Sequence, residues 1–361
     1  MTLDEHRRHP EITIDAHMAA RCRDLADRLE GKTAIYLDVR FWVMIREVRD
    51  GASCDPAERK IVHHLEGLVD QGRAFCPIAE PTFSELMKQG NLDQRVRTAR
   101  AIDDLSGGVS LLPDHDRMAR ETETFLTTAL TRRPLCPPEP IWTGLSYVLG
   151  NMYVADTAFG PADECAVQKL MFDRLWDRPL TELAAAIDGE SYIRIDEREA
   201  GAAKLNADNA AHRGEIKSFD WVFEQERHGA AESAIALVPH LIDRFAPFCA
   251  DIPIGAEKVF TNLIREALKN PDHARRLPTA HLHACIHALF RWEYRDKLIT
   301  ANDLFDFRHA AAAVGYCDAF LAERGICETM RHKRMALDQV HDCLVINDRD
   351  AAIAYLRRLR G

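Results

Sequence analysis

A short apolar run, Thr33-Ala-Ile-Tyr-Leu37, stops abruptly at the carboxylate of Asp38, and Phe41, Trp42, Ile45 and Val48 follow at helical spacing. Side chains recur every second residue on a strand and every third or fourth on a helix, so this segment reads as strand, acid, helix. The pattern repeats. Ile61, Val62, Leu65, Leu68 and Val69 mark an amphipathic helix that stops near Gly72. Ala74-Phe-Cys-Pro-Ile78 is a second strand, with Pro77 close to its end because proline cannot donate to a ladder. A helix opens at Pro81, another runs from Leu92 to Leu105, and Val109 to Leu112 is a third strand. Strands alternating with helices predict a parallel sheet wrapped by helices.

From Pro113 to about Ile299 the alternation gives way to long Ala-, Leu-, Glu- and Arg-rich stretches. Helices are expected over 115–132, 163–187, 196–228, 231–247, 255–269 and 278–297. The breaks are Pro134 to Pro140, Gly160-Pro161, Ile252-Pro253 and Asn270-Pro271. The first pattern then returns: a helix from Asn302 to Val314, strands at Ala319 to Ala322 and Cys343 to Ile346, and a last helix from Ala351 to Leu359. The expected organisation is a discontinuous α/β domain, 31–112 with 298–361, preceded by an N-terminal helical extension, 1–30, and interrupted by an all-helical insertion, 113–297.

With 57 acidic and 47 basic side chains the 361-residue chain carries a formal charge of -10. That argues against a broad polyanion-coating surface, since sequence-independent nucleic-acid binding is mainly phosphate neutralisation by Lys and Arg. A local basic groove remains compatible with it. The ten cysteines are scattered, with no C-x-x-C pair, and read as reduced thiols in element interiors. No stretch approaches the ~18 apolar residues of a membrane span, and the segment from Met1 to His17 lacks the apolar core of a secretory signal. The expectation is a cytoplasmic protein with no membrane partner.

In open parallel sheets ligands bind beyond the carboxyl ends of the strands, so acids there carry weight. Asp38 ends the first strand, and Glu85 lies in the first turns of the helix after the second. Asp303 and Asp306 open the helix before the fourth strand. Glu323 directly follows that strand, whereas Asp318 precedes it, about 16 Å away at ~3.3 Å per residue. Glu323 is therefore preferred, with Asp318 and Asp303 as secondary candidates. Carboxylates converging to 4 Å repel by roughly 1 kcal/mol per pair in water and about 4 at an effective dielectric of 20, so a cation should neutralise them. Hard oxygen donors favour Mg²⁺ or Mn²⁺, which would polarise a phosphodiester and lower the pKa of a bound water. That is nuclease chemistry.

The segments Ile35-Tyr-Leu-Asp38, Thr82-Phe-Ser-Glu85-Leu86 and Asn302 through Asp306 to Glu323-Arg324 resemble the successive motifs of PIN-domain (PilT N-terminus-like) proteins. The resemblance covers roughly 30–112 and 298–361. It implies a PIN-like three-layer fold and metal-dependent ribonuclease activity, with Asp38, Glu85 and Asp306 as the best-defined acids. The family's fourth acid usually follows a strand ending in Thr; here Ala322 and Glu323 stand in place of Thr and Asp.

Each acid also has a structural reading: Asp38 as the N-cap of its helix, Glu85, Asp303 and Asp306 as acids complementing a helix dipole, with Asn302 as the cap. Arg95, Arg97, Arg324 and Arg331 are candidate phosphate contacts, although solvated helix faces explain such runs as well. His283 and His287, spaced i, i+4, form a rival metal pair near His281, but no Glu or third ligand accompanies them. Phe290, Trp292 and Tyr294 read as core or interface. The functional expectation is an endoribonuclease acting on RNA. The alternatives are a DNA nuclease using the same acids, or a regulatory module whose insertion binds a protein partner or a second copy of the chain.

Overall fold

The computed structural model describes residues 1–131, 140–150, 158–187, 195–245 and 255–360. Its contacts divide the chain into two units: Met1–Pro113 with Glu139–Ile193 and Asp348–Gly361, and Asp114–Pro138 with Arg194–Asn347. Helices predominate in both, and each holds a pair of short parallel strands, which makes the chain α/β.

In the first unit β1 (Thr33–Leu37) and β2 (Ala74–Phe75) pair in parallel, Thr33 opposite Ala74 and Ala34 opposite Phe75. Ile35, Tyr36 and Leu37 are all fully buried, as an unbroken apolar run requires when both faces of a strand are covered. Between the strands lies the helix Pro56–Asp70, begun by Asp55 capping Ala57 N and by Pro56 in the first turn. The chain leaves it through Gly72 at φ +67°, a conformation that costs glycine little. The buried stripe Ile61, Val62, Leu65 and Leu68 packs against the helix Arg349–Arg360, each side chain contributing roughly 1.5–3 kcal/mol. Arg349 fastens that contact to Asp55 and Glu58.

β3 (Val109–Leu111) departs from expectation. Ile78 bridges Ser110 in parallel, but along its length β3 pairs antiparallel with β4 (Trp142–Gly144), Ser110 opposite Thr143. The Ser110 hydroxyl donates to Gly144 O at 2.9 Å, and the Trp142 ring meets Phe75 edge-on at 5.4 Å. Three residues just beyond a proline-rich segment are too few to show a period, so nothing announced β4. The expected N-terminal extension is the helices Leu3–Arg7 and Ile14–Leu29, both packed on the helix Pro161–Trp176.

In the second unit the helix Phe219–Ala236 packs on Pro278–Glu293 and on Ala256–Ala267. Phe245, Phe260, Ile264, Leu268 and Leu277 lie in the core beside them. The helix Ala301–Tyr316 lies on Pro278–Glu293 and leads into β5 (Ala319–Leu321), which pairs in parallel with β6 (Leu344–Ile346).

Three expected helices are interrupted. The 163–187 segment breaks before Leu180–Ala186, 196–228 breaks between Ile195–His212 and Phe219–Ala236, and 231–247 breaks before Pro239–Phe245. Pro179, Gly214 with the Ser218 cap, and Pro239 supply the breaks. Gly160-Pro161 and Asn270-Pro271 open helices as expected; Pro134 to Glu139 and Ile252-Pro253 lie outside the described residues. The block 113–297 does not coincide with a unit: 139–193 groups with the first, and 298–347 with the second. No described helix is long and apolar enough to cross a membrane. Every described cysteine is a free thiol.

Candidate functional site

Thr300 begins the helix that carries two of the candidate acids. Its hydroxyl accepts from Asp303 N at 3.2 Å, and Asp303 Oδ2 accepts from Thr300 N at 2.8 Å, a reciprocal capping box. Lys297 Nζ donates to the other oxygen of Asp303 at 2.8 Å. Burial alone would raise the Asp303 carboxyl, but the hydrogen bonds from Lys297 and Thr300 outweigh it and hold the group below its ordinary value. Asp303 is thereby occupied in starting the helix, and the cap is Thr300, not Asn302.

Asp306 lies three residues further on, on the same helical face. It lines a cavity of about 240 Å³ with Glu323, Lys297, Tyr294 and Thr329. Glu323 stands two residues beyond the end of β5 at the N-cap of the helix Arg324–Met330, with extended backbone and no side-chain capping bond. Asp318 is at the other end of β5, where its carbonyl accepts from Leu344 N, and it is not among the cavity's lining residues. The carboxylates of Asp303, Asp306 and Glu323 supply oxygen donors to the cavity, and no imidazole or thiol lines the space, which the Lys297 ammonium and the Met330 thioether share. Such a set fits a hard divalent cation such as Mg²⁺ or Mn²⁺.

Asp38 and Glu85 belong to the first unit. Asp38 is the N-cap of the helix Val39–Arg49, 9% exposed, yet its side chain makes no capping bond. Asp38 is thus the N-cap of this helix by position, as the structural reading has it, without a side-chain capping bond. Glu85 is half-buried in the second turn of the helix Glu80–Met87.

The arginines expected at phosphates are engaged elsewhere. Arg95 is buried and donates to Ile187 O at 3.1 Å, and Arg331 donates to Val345 O. Arg97 pairs with Asp93, and Arg324 with Glu328, each one helical turn away. Among the aromatic residues Phe290 is buried and Trp292 packs on Phe219, whereas Tyr294 is half-exposed at the cavity wall, 5.9 Å below Lys297 Nζ. The histidine pair does not converge on a metal position: His283 meets Asp114 at 3.2 Å, and His287 lies edge-on to Phe307. His281 shares a hydrogen bond with His341.

Two polar clusters escaped the sequence reading. Asp114, at the start of the helix Asp114–Thr131, pairs with Arg117 and His283, while Glu121 accepts from Thr279 N at 3.0 Å and from its hydroxyl at 2.6 Å. In the first unit, His6, His17 and Asp173 bring two imidazoles and a carboxylate within 4.8 Å. Their sequence separation leaves no motif to find. No protein family matches the chain, and comparisons with curated proteins and with solved structures find no match.

Proposed function

We propose that the chain is a metal-dependent endoribonuclease with a PIN-like fold. The observation that supports this best is the cavity that Asp306 and Glu323 both line without an imidazole or a thiol, while Asp303 beside them is diverted to helix capping. Asp306 and Glu323 would hold Mg²⁺ or Mn²⁺ in the second unit; Asp38 and Glu85 keep the ligand roles that the resemblance gives them. A divalent ion so held supplies Lewis-acid polarisation of a phosphodiester and stabilises the leaving oxygen.

The chain's own groups do the rest. Lys297, half-exposed and tethered to Asp303, puts a positive charge on the cavity wall where a backbone phosphate would lie. Tyr294 offers an exposed ring beside it for a base to stack on. The net charge of -10 makes this a local grip, so binding should weaken with salt by only the few phosphates engaged.

The test compares two substitutions on labelled single-stranded RNA and DNA with Mn²⁺. Asp306→Asn should lower cleavage on the order of 10²–10³-fold, the usual loss when a group that stabilises developing charge is removed. Its melting temperature should hold or rise, because one of several crowded carboxylates is gone. Asp318→Asn should leave turnover intact. Full activity in Asp306→Asn, or lost turnover in Asp318→Asn at an unchanged melting temperature, would refute the assignment. Cleavage of DNA in preference to RNA would reassign the substrate but keep the site.

A further inference from the structure

We propose that His6, His17 and Asp173 form a binding site for a divalent transition-metal ion of the zinc class, fastening the helices Leu3–Arg7 and Ile14–Leu29 to the helix Pro161–Trp176. The site lies wholly within the first unit and is independent of the nuclease reading. His6 Nε2 stands 3.0 Å from Asp173 Oδ2, and His17 Nε2 stands 2.8 Å from Asp173 Oδ1. The two rings meet edge-on with centroids 5.1 Å apart, so each turns its Nε2 to the same carboxylate. Ligand atoms around one ion at ~2.0–2.1 Å are roughly 3 Å apart, close to these separations. The three groups are therefore already gathered at coordination distance.

The surroundings hold that arrangement. His6 is 1% exposed, and His17 and Asp173 are 12% exposed each. Lys169, one turn before Asp173, donates to the carbonyls of His9 at 2.8 Å, Ile12 at 3.0 Å and His6 at 3.4 Å, which fixes the backbone that presents His6. The Phe172 ring packs edge-on to His17. The competing cations are the Met1 amino group, 3.7 Å from Asp173 Oδ2, and Arg21, 4.0 Å from Asp173 Oδ1, but Arg21 also reaches Asp177 at 3.6 Å and lies over the Trp176 ring. Arg21 keeps those partners when an ion occupies Asp173. Two imidazoles and one carboxylate select a borderline ion such as Zn²⁺ over Mg²⁺, the reverse of the carboxylate-lined cavity in the second unit, which has no imidazole. The two sites are thus distinguishable by metal alone.

The full chain, stripped with a chelator, is titrated with Zn²⁺ against a chromophoric competitor. The wild type should take up an equivalent of Zn²⁺ that is weakened at least about tenfold in His17→Gln and in Asp173→Asn, and retained in Asp306→Asn. Zn²⁺ should raise the melting temperature of the wild type but not of His17→Gln. Absence of stoichiometric uptake, or binding by His17→Gln equal to wild type, would overturn the proposal and leave a hydrogen-bonded triad. If His17→Gln fails to fold, X-ray absorption of the Zn²⁺-loaded wild type decides: two imidazoles and an oxygen support the site, and a sulfur ligand or a shell without imidazole refutes it.

Discussion

Glu121 is 8% exposed, and burial pushes its carboxyl up to about 8 despite hydrogen bonds from Thr279 and the nearby charge of Arg117. The unfolded chain loses that proton near the ordinary value of 4.5. Between those two values folding takes up a proton, so the contribution of Glu121 to stability is fully present below about pH 4.5 and is lost as pH rises towards about 8, by at most about 1.4 kcal/mol per unit. Glu121→Gln, which keeps an acceptor for Thr279, should flatten this dependence; urea midpoints at about pH 5 and about pH 8 measure it. An equal slope in both proteins would show that Glu121 is ionised in the fold. Asp303 and Asp306 illustrate what the sequence could have said at this scale. Both were assigned to the first turn of a helix capped by Asn302, yet Thr300-x-x-Asp303 is itself a capping-box spacing that marks Asp303 as structural. The position of Glu323 just beyond the end of β5 was legible because a strand's direction follows from chain order. The buried engagement of Arg95 was not, since its partner, the Ile187 carbonyl, is 92 residues away.

Gly315 lies where the helix Ala301–Tyr316 meets Pro278–Glu293, and an added Cβ would come within 3.2 Å of Pro278 Cβ and 3.3 Å of Leu282 Cδ1. Alanine gains about 0.5–1 kcal/mol in helix propensity but overpacking costs about 1–3, and the Pro278 ring cannot turn aside. Gly315→Ala should therefore lower stability by about 1 kcal/mol, read as a lower urea midpoint at unchanged slope; a gain would mean the helices separate freely. Lys169→Met is expected to cost more, about 2–4 kcal/mol, because three carbonyls around a 1%-exposed ammonium lose their donor. Equilibrium denaturation measures that loss, and a midpoint equal to wild type would contradict it. Elements with a full apolar period were legible: Ala301–Tyr316 within about two residues at both ends, and Pro56–Asp70 at its C-terminal end. β4 was not, and without it β3 was assigned to a wholly parallel sheet.

Across the whole molecule, the return of the strand-helix pattern at the C-terminal end correctly announced β5, β6 and the helix Arg349–Arg360. The partition is different from the one that pattern suggested. Arg349–Arg360 groups with the first unit, whereas β5 and β6 group with the second, because burial of side-chain faces decides these groupings and sequence order does not record it. The same limit hid His6, His17 and Asp173, whose proximity depends on how three helices pack. The nuclease reading rests on acids whose chemistry was visible from the start, and its most direct test is cleavage. Labelled single-stranded RNA is incubated with Mn²⁺ and either wild-type protein or Asp38→Asn purified identically. The expected result is cutting by the wild type, stopped by chelator and lowered on the order of 10²-fold or more in the variant. Asp38→Asn cutting at the wild-type rate, or a wild type that cuts with neither Mn²⁺ nor Mg²⁺, would contradict it.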